Sequence, residues 1–468
     1  MLIEVALQTF QANKSSRLVA KRWINELMAV VIITNCWFSL VVEALMRNQP
    51  PQLVRVVRLV VDSMLDIAYC VVIPLSIFYP YYRDFIGGAS NFPTVFYYTD
   101  AWYANAISEW RQILMTSWTD CISKLVAALT MLYRMFVVDS AITRAERHFR
   151  FHTKEGENLE NKRHIHTRLT RILDIALLIW GLVVVGITVV PPWRSTAVYQ
   201  GTPGDRATLQ EAIERTDPFS VQVFIISNCP SLEVPSGIQK FSNLLTLKVY
   251  NSTIVSWAED AALRTSLHPT LGQILLPRVN MSEIPVGMLA DDFPRSVWDV
   301  EISRSNLSTV PSQIMNAWQG ARIVLWDGNR QLTQIPDPIL ALPSLWLLSM
   351  PSNGIKHIRD DAFENSSVQL VFLGDNPLDK LPSSMRQLVL LSISDSGITE
   401  LPVAWNDNRW VGLLPLSVAA GGSPVCSKEN VTIPGGVFLD CVPIPVDSLG
   451  YPIQEEDQWR ERPTLTMA

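Results

Sequence analysis

Catalytic signatures are missing from this chain: it has no G-x-S-x-G, no P-loop, no H-E-x-x-H and no kinase motif. No enzymatic activity, cofactor or metal is therefore expected. Cysteine and histidine are scarce, with six of each in 468 residues. Charged residues are also few, 18% against 48% hydrophobic, which excludes a disordered or highly solvated chain. A basic surplus is absent too: the net charge of −6 argues against nucleic acid as a partner. No signal-peptide pattern opens the chain, because the first apolar run, MLIEVAL, is short and contains an acid.

What is there divides into two unlike halves. Residues 1–193 hold 19 Lys and Arg against 15 Asp and Glu, whereas residues 194–468 hold 19 against 29. The long apolar runs fall in the first half. The strongest, Ile175–Trp193, carries no charge, and a stretch of roughly 20 such residues is long enough to cross a bilayer as a helix. Weaker runs precede it. The hydropathy predicts a transmembrane bundle of about four helices, near 27–46, 59–82, 113–138 and 173–193. The loop 141–171 carries eight Lys and Arg, so the positive-inside rule places it in the cytosol and the second half outside or in a lumen. The reading is an integral protein of the plasma membrane or an endomembrane, with the bilayer itself a partner. The first 22 residues, with Lys14, Arg17, Lys21 and Arg22, fit that orientation poorly.

Two clusters in this half invite a functional reading. Asp62, Asp66, Asp120 and Lys124 lie within predicted spans, where buried charge is costly and often functional. They suggest an ion path, or else interhelical pairs that lock the bundle. His148, His152, His164 and His166 have spacings that could hold a metal, but no cysteine supports them, and a solvated basic loop is the simpler reading.

The second half repeats itself with the pattern L-x-x-L-x-L-x-x-N/C-x-L. The clearest copies run from Val368 through the anchor Asn376 to Pro382, and from Leu388 through Ser396 to Pro402. Anchors fall at 229, 252, 279, 305, 329, 353, 376 and 396, separations that all lie within the 20–29 residues of leucine-rich repeats. The predicted fold is an α/β leucine-rich-repeat solenoid of about eight repeats over 221–402, capped by 194–220 and 403–445, with a tail at 446–468. Leu373 and Leu391 should stack in its core. Phe372 and Ser392 should face outward, because side chains alternate along a strand.

Of the six cysteines, Cys426 and Cys441 follow the last repeat and are read as a disulfide that staples the cap. Sequons at Asn251, Asn280, Asn306, Asn365 and Asn430 are candidate glycosylation sites. The concave strand positions include Tyr250, Asp299, Glu301, Arg304, Phe372, Asp375 and Asp395. These are the candidate contacts for a protein, peptide or glycan ligand, with Tyr250 and Phe372 as aromatic anchors.

The stretches ALQTFQANKSSRLVAKRW (6–23), VVIPLSIFYPYYRDF (71–85) and DAWYANAISEWRQILMTSWTDCISKLV (100–126), together with the repeats, resemble the membrane-anchored leucine-rich-repeat proteins of oomycetes. The resemblance implies a recognition protein with no catalytic residues, and more membrane sequence before this start. The sequence thus predicts a membrane-tethered recognition protein that signals through a recruited partner, such as a membrane-embedded co-receptor. The alternative is a transporter or channel with a regulatory ectodomain.

Overall fold

A computed structural model describes residues 2–19, 21–87, 98, 100–115, 117–126, 128–130, 132–133, 136, 177–184, 196–200, 204–219, 221–385, 388–406, 415–428, 432–442 and 450–461. The chain forms two compact units, residues 1–93 with 101–194, and residues 94–100 with 195–468.

The first unit is helical. Its elements are α1 (Leu2–Leu18), α2 (Arg22–Leu45), α3 (Pro51–Ile67), a π-helical turn (Ala68–Val72), α4 (Ile73–Gly87) and α5 (Asp100–Ile113). Among the described residues no helix is long and apolar enough to cross a membrane. This overturns the expected transmembrane bundle, and with it the integral-membrane location. The reasons lie in where the helices begin and break. The run near 27–46 lies in α2, which carries Arg22 and Glu26 before the run and Asn35 and Glu43 within it. The run near 59–82 is split by the π-helical turn, and α3 has only 17 residues, with Arg55, Arg58, Asp62 and Asp66 among them. The run 113–138, which contains Asp120 and Lys124, is described for the most part, whereas 173–193 lies largely outside the described residues and the basic loop 141–171 with its four histidines lies wholly outside them.

Polar side chains line the interior of this unit: Gln8, Gln11, Asn35, Asp66, Glu109 and Asp120 are buried. Val60, Met64, Leu75 and Phe78 are exposed. Asp120 takes the ammonium groups of Lys14 at 2.7 Å and Lys124 at 3.1 Å, and Gln11 donates to it at 2.8 Å. Lys21 and the Tyr81 hydroxyl meet on Glu109 at 3.3 and 2.8 Å. Asp120 and Lys124 therefore act as a lock between helices. Asp66 is buried in α3, and Asp62 is half-buried one turn earlier.

The second unit is a solenoid built on one eleven-stranded sheet. Its strands are β1 (Thr196–Gln200), β2 (Val223–Ser227), β3 (Thr246–Tyr250), β4 (Gln273–Pro277), β5 (Asp299–Ser303), β6 (Ile323–Leu325), β7 (Leu347–Ser349), β8 (Leu370–Phe372), β9 (Leu390–Ser392), β10 (Leu416–Ala419) and β11 (Val437–Asp440). Each pairs in parallel with the next, so the strand order is the chain order. Alternation sends Leu247, Ile274, Val300, Val324, Leu348, Val371 and Leu391 into one continuous aliphatic core, and Leu373 is fully buried there. A lone repeat could not bury this face; stacking buries all of them.

The anchors carry the polar half of the design. Asn353 donates to Trp326 O at 2.8 Å and Met350 O at 3.0 Å, and its Oδ1 accepts from Asn329 N at 2.5 Å. Asn329 and Asn376 repeat the scheme, donating at 2.8 Å to Ile302 O and Met350 O. Where the anchor is Ser252, its hydroxyl accepts from Cys229 N at 3.0 Å. Val279 cannot serve in this way. Further along the same ladder, Asn306 Oδ1 accepts Met281 N at 2.6 Å. Ser423 acts as a ninth anchor, accepting Ser396 N at 3.0 Å and donating to Ile393 O at 2.6 Å. Just beyond it, Cys426 and Cys441 form a disulfide with Cα atoms 5.7 Å apart at a sequence separation of 15, a loop whose closure is worth about 3 kcal/mol.

The residue before each anchor is left-handed. Asn228, Asn251, Arg278, Arg304, Ser352, Asp375 and Asp395 have φ between 45° and 57°, and Gly328 and Gly422 have 68° and 80°. The turn aims the backbone N–H at the next repeat, as from Asn228 to Tyr250 O at 3.0 Å and from Asp395 to Gly421 O at 2.9 Å. Asn, Asp and Gly suit this region, whereas Ser and Arg pay about 1–2 kcal/mol to enter it. Ser352→Gly is expected to stabilise the solenoid by about 0.5–1 kcal/mol after the entropy of glycine in the unfolded chain is set against the relief. A shift of the denaturant midpoint at constant slope would report it.

Candidate binding face

The side chains opposite the core line the concave face. Strand register aligns Ile225, Lys248, Leu275, Glu301, Leu325, Ser349, Phe372 and Ser392 in one row. Beside it, Thr246, Gln273 and Asp299 form a polar ladder: the Thr246 hydroxyl donates to Gln273 Oε1 at 3.0 Å, and Gln273 Nε2 donates to Asp299 Oδ2 at 3.1 Å. On the other side stand Tyr250, Ser303 and Asp327, the last two joined by a short hydrogen bond from the Ser303 hydroxyl to Asp327.

The expectation of a solvated face is corrected here. Tyr250, Asp299, Glu301, Phe372 and Ser392 point away from the core, as alternation requires, yet all are buried. The Ser392 and Ser394 hydroxyls are enclosed with no hydrogen-bond partner among the described residues. Arg304, Asp375 and Asp395 occupy the left-handed corners beyond the strands and are exposed, so they sit beside the concave sheet rather than on it.

Over the first repeats the cover belongs to the chain itself. Residues 450–452 lead into a helix, Ile453–Glu461. Glu456 Oε2 accepts from Lys248 Nζ at 2.9 Å, with neither side chain exposed, and also from the Tyr451 hydroxyl at 2.8 Å. Asp457 receives a short hydrogen bond from the Tyr250 hydroxyl and pairs with Arg278. Tyr451 N donates to Asp327 Oδ1 at 3.1 Å. Its ring packs edge-on against Tyr98 at 5.0 Å, and the Tyr98 hydroxyl donates to Glu301 Oε1 at 3.1 Å. Tyr98, Tyr250, Leu275, Leu325, Tyr451 and Ile453 form one apolar cluster. Sequence reasoning missed Arg278, Asp327, Tyr98 and the whole tail segment. Arg278 was findable, because it stands just before an anchor in the same phase as Arg304. No local signal marks the others.

Burial shapes the acids of the face. Glu301 is held well above the ordinary carboxyl range, first by burial and then by the neighbouring Asp299 and Asp327, while the Tyr98 hydroxyl pulls it back. Burial also raises Asp327, against the bonds from Ser303 and Tyr451 N. The folded chain therefore keeps the Glu301 proton to higher pH than the unfolded chain, whose glutamate titrates near about 4.3. Stability from this group is complete below that value and is lost as pH rises toward the raised folded value. Glu301→Gln mimics the protonated form. The variant should match the wild type at pH 4 and exceed it at pH 8, a gap that urea midpoints at the two pH values would show.

Of the candidate glycosylation sites, Asn251, Asn280 and Asn365 are exposed and Asn306 is half-buried, while Asn430 lies outside the described residues. A cavity of about 280 Å³ lined by Leu332, Pro336, His357 and Arg359 among others involves no strand residue. Among the described residues no cluster of His, Cys, Asp and Glu could hold a metal.

No protein-family model matches the chain, and no curated protein matches it. Solved structures similar to part of it include the plant peptide hormone receptor RGFR1 in complex with RGF2, at 19% identity and a TM-score of 0.28, covering 43% of this chain and 33% of that one. The Toll–Spatzle complex of Drosophila gives 16% and 0.32, covering 44% and 30%. A leucine-rich-repeat protein of Leptospira interrogans, LIC12759, gives 13% and 0.31, covering 50% and 64%. The chain thus spans less than two thirds of each, and the likeness concerns the repeat fold alone.

Proposed function

We propose that this is a leucine-rich-repeat recognition protein that binds a polypeptide on the concave face of its first repeats. One observation carries the reading: the face already grips a peptide segment through side chains, with Lys248, Tyr250, Arg278 and Asp327 each bonded to residues 451–457. A polypeptide suits it better than a glycan, because Leu275 and Leu325 supply an apolar floor between the polar groups and such mixed pockets favour aromatic and aliphatic anchors. Display selection of random peptides on the full chain tests the proposal. Selected peptides should lose at least about tenfold in affinity for the Arg278→Glu variant, whose side chain is 39% exposed and tolerant of change. Undiminished binding to that variant would place the ligand elsewhere.

A further inference from the structure

We infer that residues 450–461 are a built-in, displaceable occupant of this groove, and that its external partner is a polypeptide of the same chemistry: an aromatic residue followed, five and six residues later, by two acids in the first turns of a helix. The inference rests on the recognition reading above and adds to it the class of ligand and the means by which the site is blocked.

Four features point this way. First, the segment is not a further repeat. It forms a helix rather than a strand, and its bonds to the sheet run from side chains to side chains or from one backbone N–H to a carboxylate. The repeats, by contrast, bond strand to strand.

Second, Lys248 makes poor sense as a purely structural residue. It stands in its row between Ile225 and Leu275, with 0% exposure. A buried ion pair is seldom more stable than an apolar pair of the same volume. What it provides is discrimination: a segment without an acid at the right place leaves an ammonium group buried without a counter-charge.

Third, the contacts are spaced as a recognition motif. Tyr451 and Ile453 enter the apolar cluster, while Glu456 and Asp457 engage Lys248, Tyr250 and Arg278. Gly450 fits closely against Asp327, since a Cβ there would lie 3.1 Å from the carboxyl carbon. The acids Glu455 and Glu456 sit in the first turn of the helix, where its dipole favours them.

Fourth, the helix cannot hold itself. It has nine residues, below the roughly 12–15 that an isolated helix needs, so it folds on docking. A tethered segment of this kind competes at an effective concentration on the order of millimolar. It therefore weakens an external ligand by about the ratio of that concentration to its own dissociation constant.

The experiment uses a labelled synthetic peptide of residues 450–461 and two full-length proteins, the wild type and Glu456→Lys/Asp457→Lys. The double change places lysine against Lys248 and Arg278 and ejects the tail without shortening the chain. The peptide should bind the double variant at least about tenfold more tightly than the wild type, and adding Lys248→Glu to that variant should abolish the gain. Equal weak binding to wild type and double variant, with unchanged melting curves, would show that the tail is not a displaceable occupant. A double variant that unfolds would also overturn the inference, because the tail would then be part of the fold. In either case peptides from display selection that still depend on Arg278 would leave the recognition reading standing.

Discussion

Glu456→Ala should strip the protection from the tail helix. The carboxylate it removes is the counter-charge of Lys248, at 2.9 Å with both side chains at 0% exposure. Deleting one partner of a buried pair costs about 3–5 kcal/mol, because the other is left charged and dry. Docking of a nine-residue segment is not expected to withstand that, so the tail should leave and Lys248 should hydrate. Hydrogen exchange of amides 453–461 should then approach that of a free peptide, with the repeats unchanged. The double variant Lys248→Met/Glu456→Leu is the control. It replaces the pair by apolar groups of similar volume and should keep the tail docked. Release by both variants alike would mean that the ion pair itself, and not merely the avoidance of a lone buried charge, holds the tail.

Asn353→Ala should be the most damaging single change in the repeats, at about 3–5 kcal/mol. The amide donates to Trp326 O and Met350 O, and its oxygen accepts Asn329 N. Removing it orphans two buried backbone groups, Trp326 O and Asn329 N, at about 1–3 kcal/mol each, partly relieved by relaxation, while Met350 O keeps the Asn376 amide. Ser252→Ala, which removes the hydroxyl that accepts Cys229 N and donates to Tyr250 O, should cost about half as much. Because each repeat leans on its neighbours, loss of Asn353 should loosen the stack around 326–376 before its ends. Urea midpoints would rank the two variants, and exchange rates along the array would locate the weakness. Equal costs would mean that the asparagine ladder contributes no more than a single serine.

The repeat phase, the aliphatic core and the disulfide pair were legible in the sequence for a common reason. Each depends on residues at fixed short separations, and a period survives whatever else the chain does. Leu373 and Leu391 belong to the core because Asn376 and Ser396 set their phase. Even the left-handed corners were partly written, since Asn, Asp and Gly stand there in six of nine repeats, although Arg278, Arg304 and Ser352 hide the rest. The helical half misled because hydropathy averages over a window and ignores direction and breaks: a π-helical turn divides the second run, and Gln8, Asn35 and Asp66 point inward. Only the tertiary structure decided the state of the concave face. Alternation placed Lys248, Tyr250 and Glu301 on that side, but whether they meet water depends on Tyr98 and on Tyr451, Glu456 and Asp457. The partners in the bonds Tyr98–Glu301, Lys248–Glu456 and Tyr250–Asp457 lie between 203 and 208 positions apart along the chain, and contacts over such distances leave no period in a sequence, because side-chain chemistry and the path of the chain, rather than local spacing, bring the partners together.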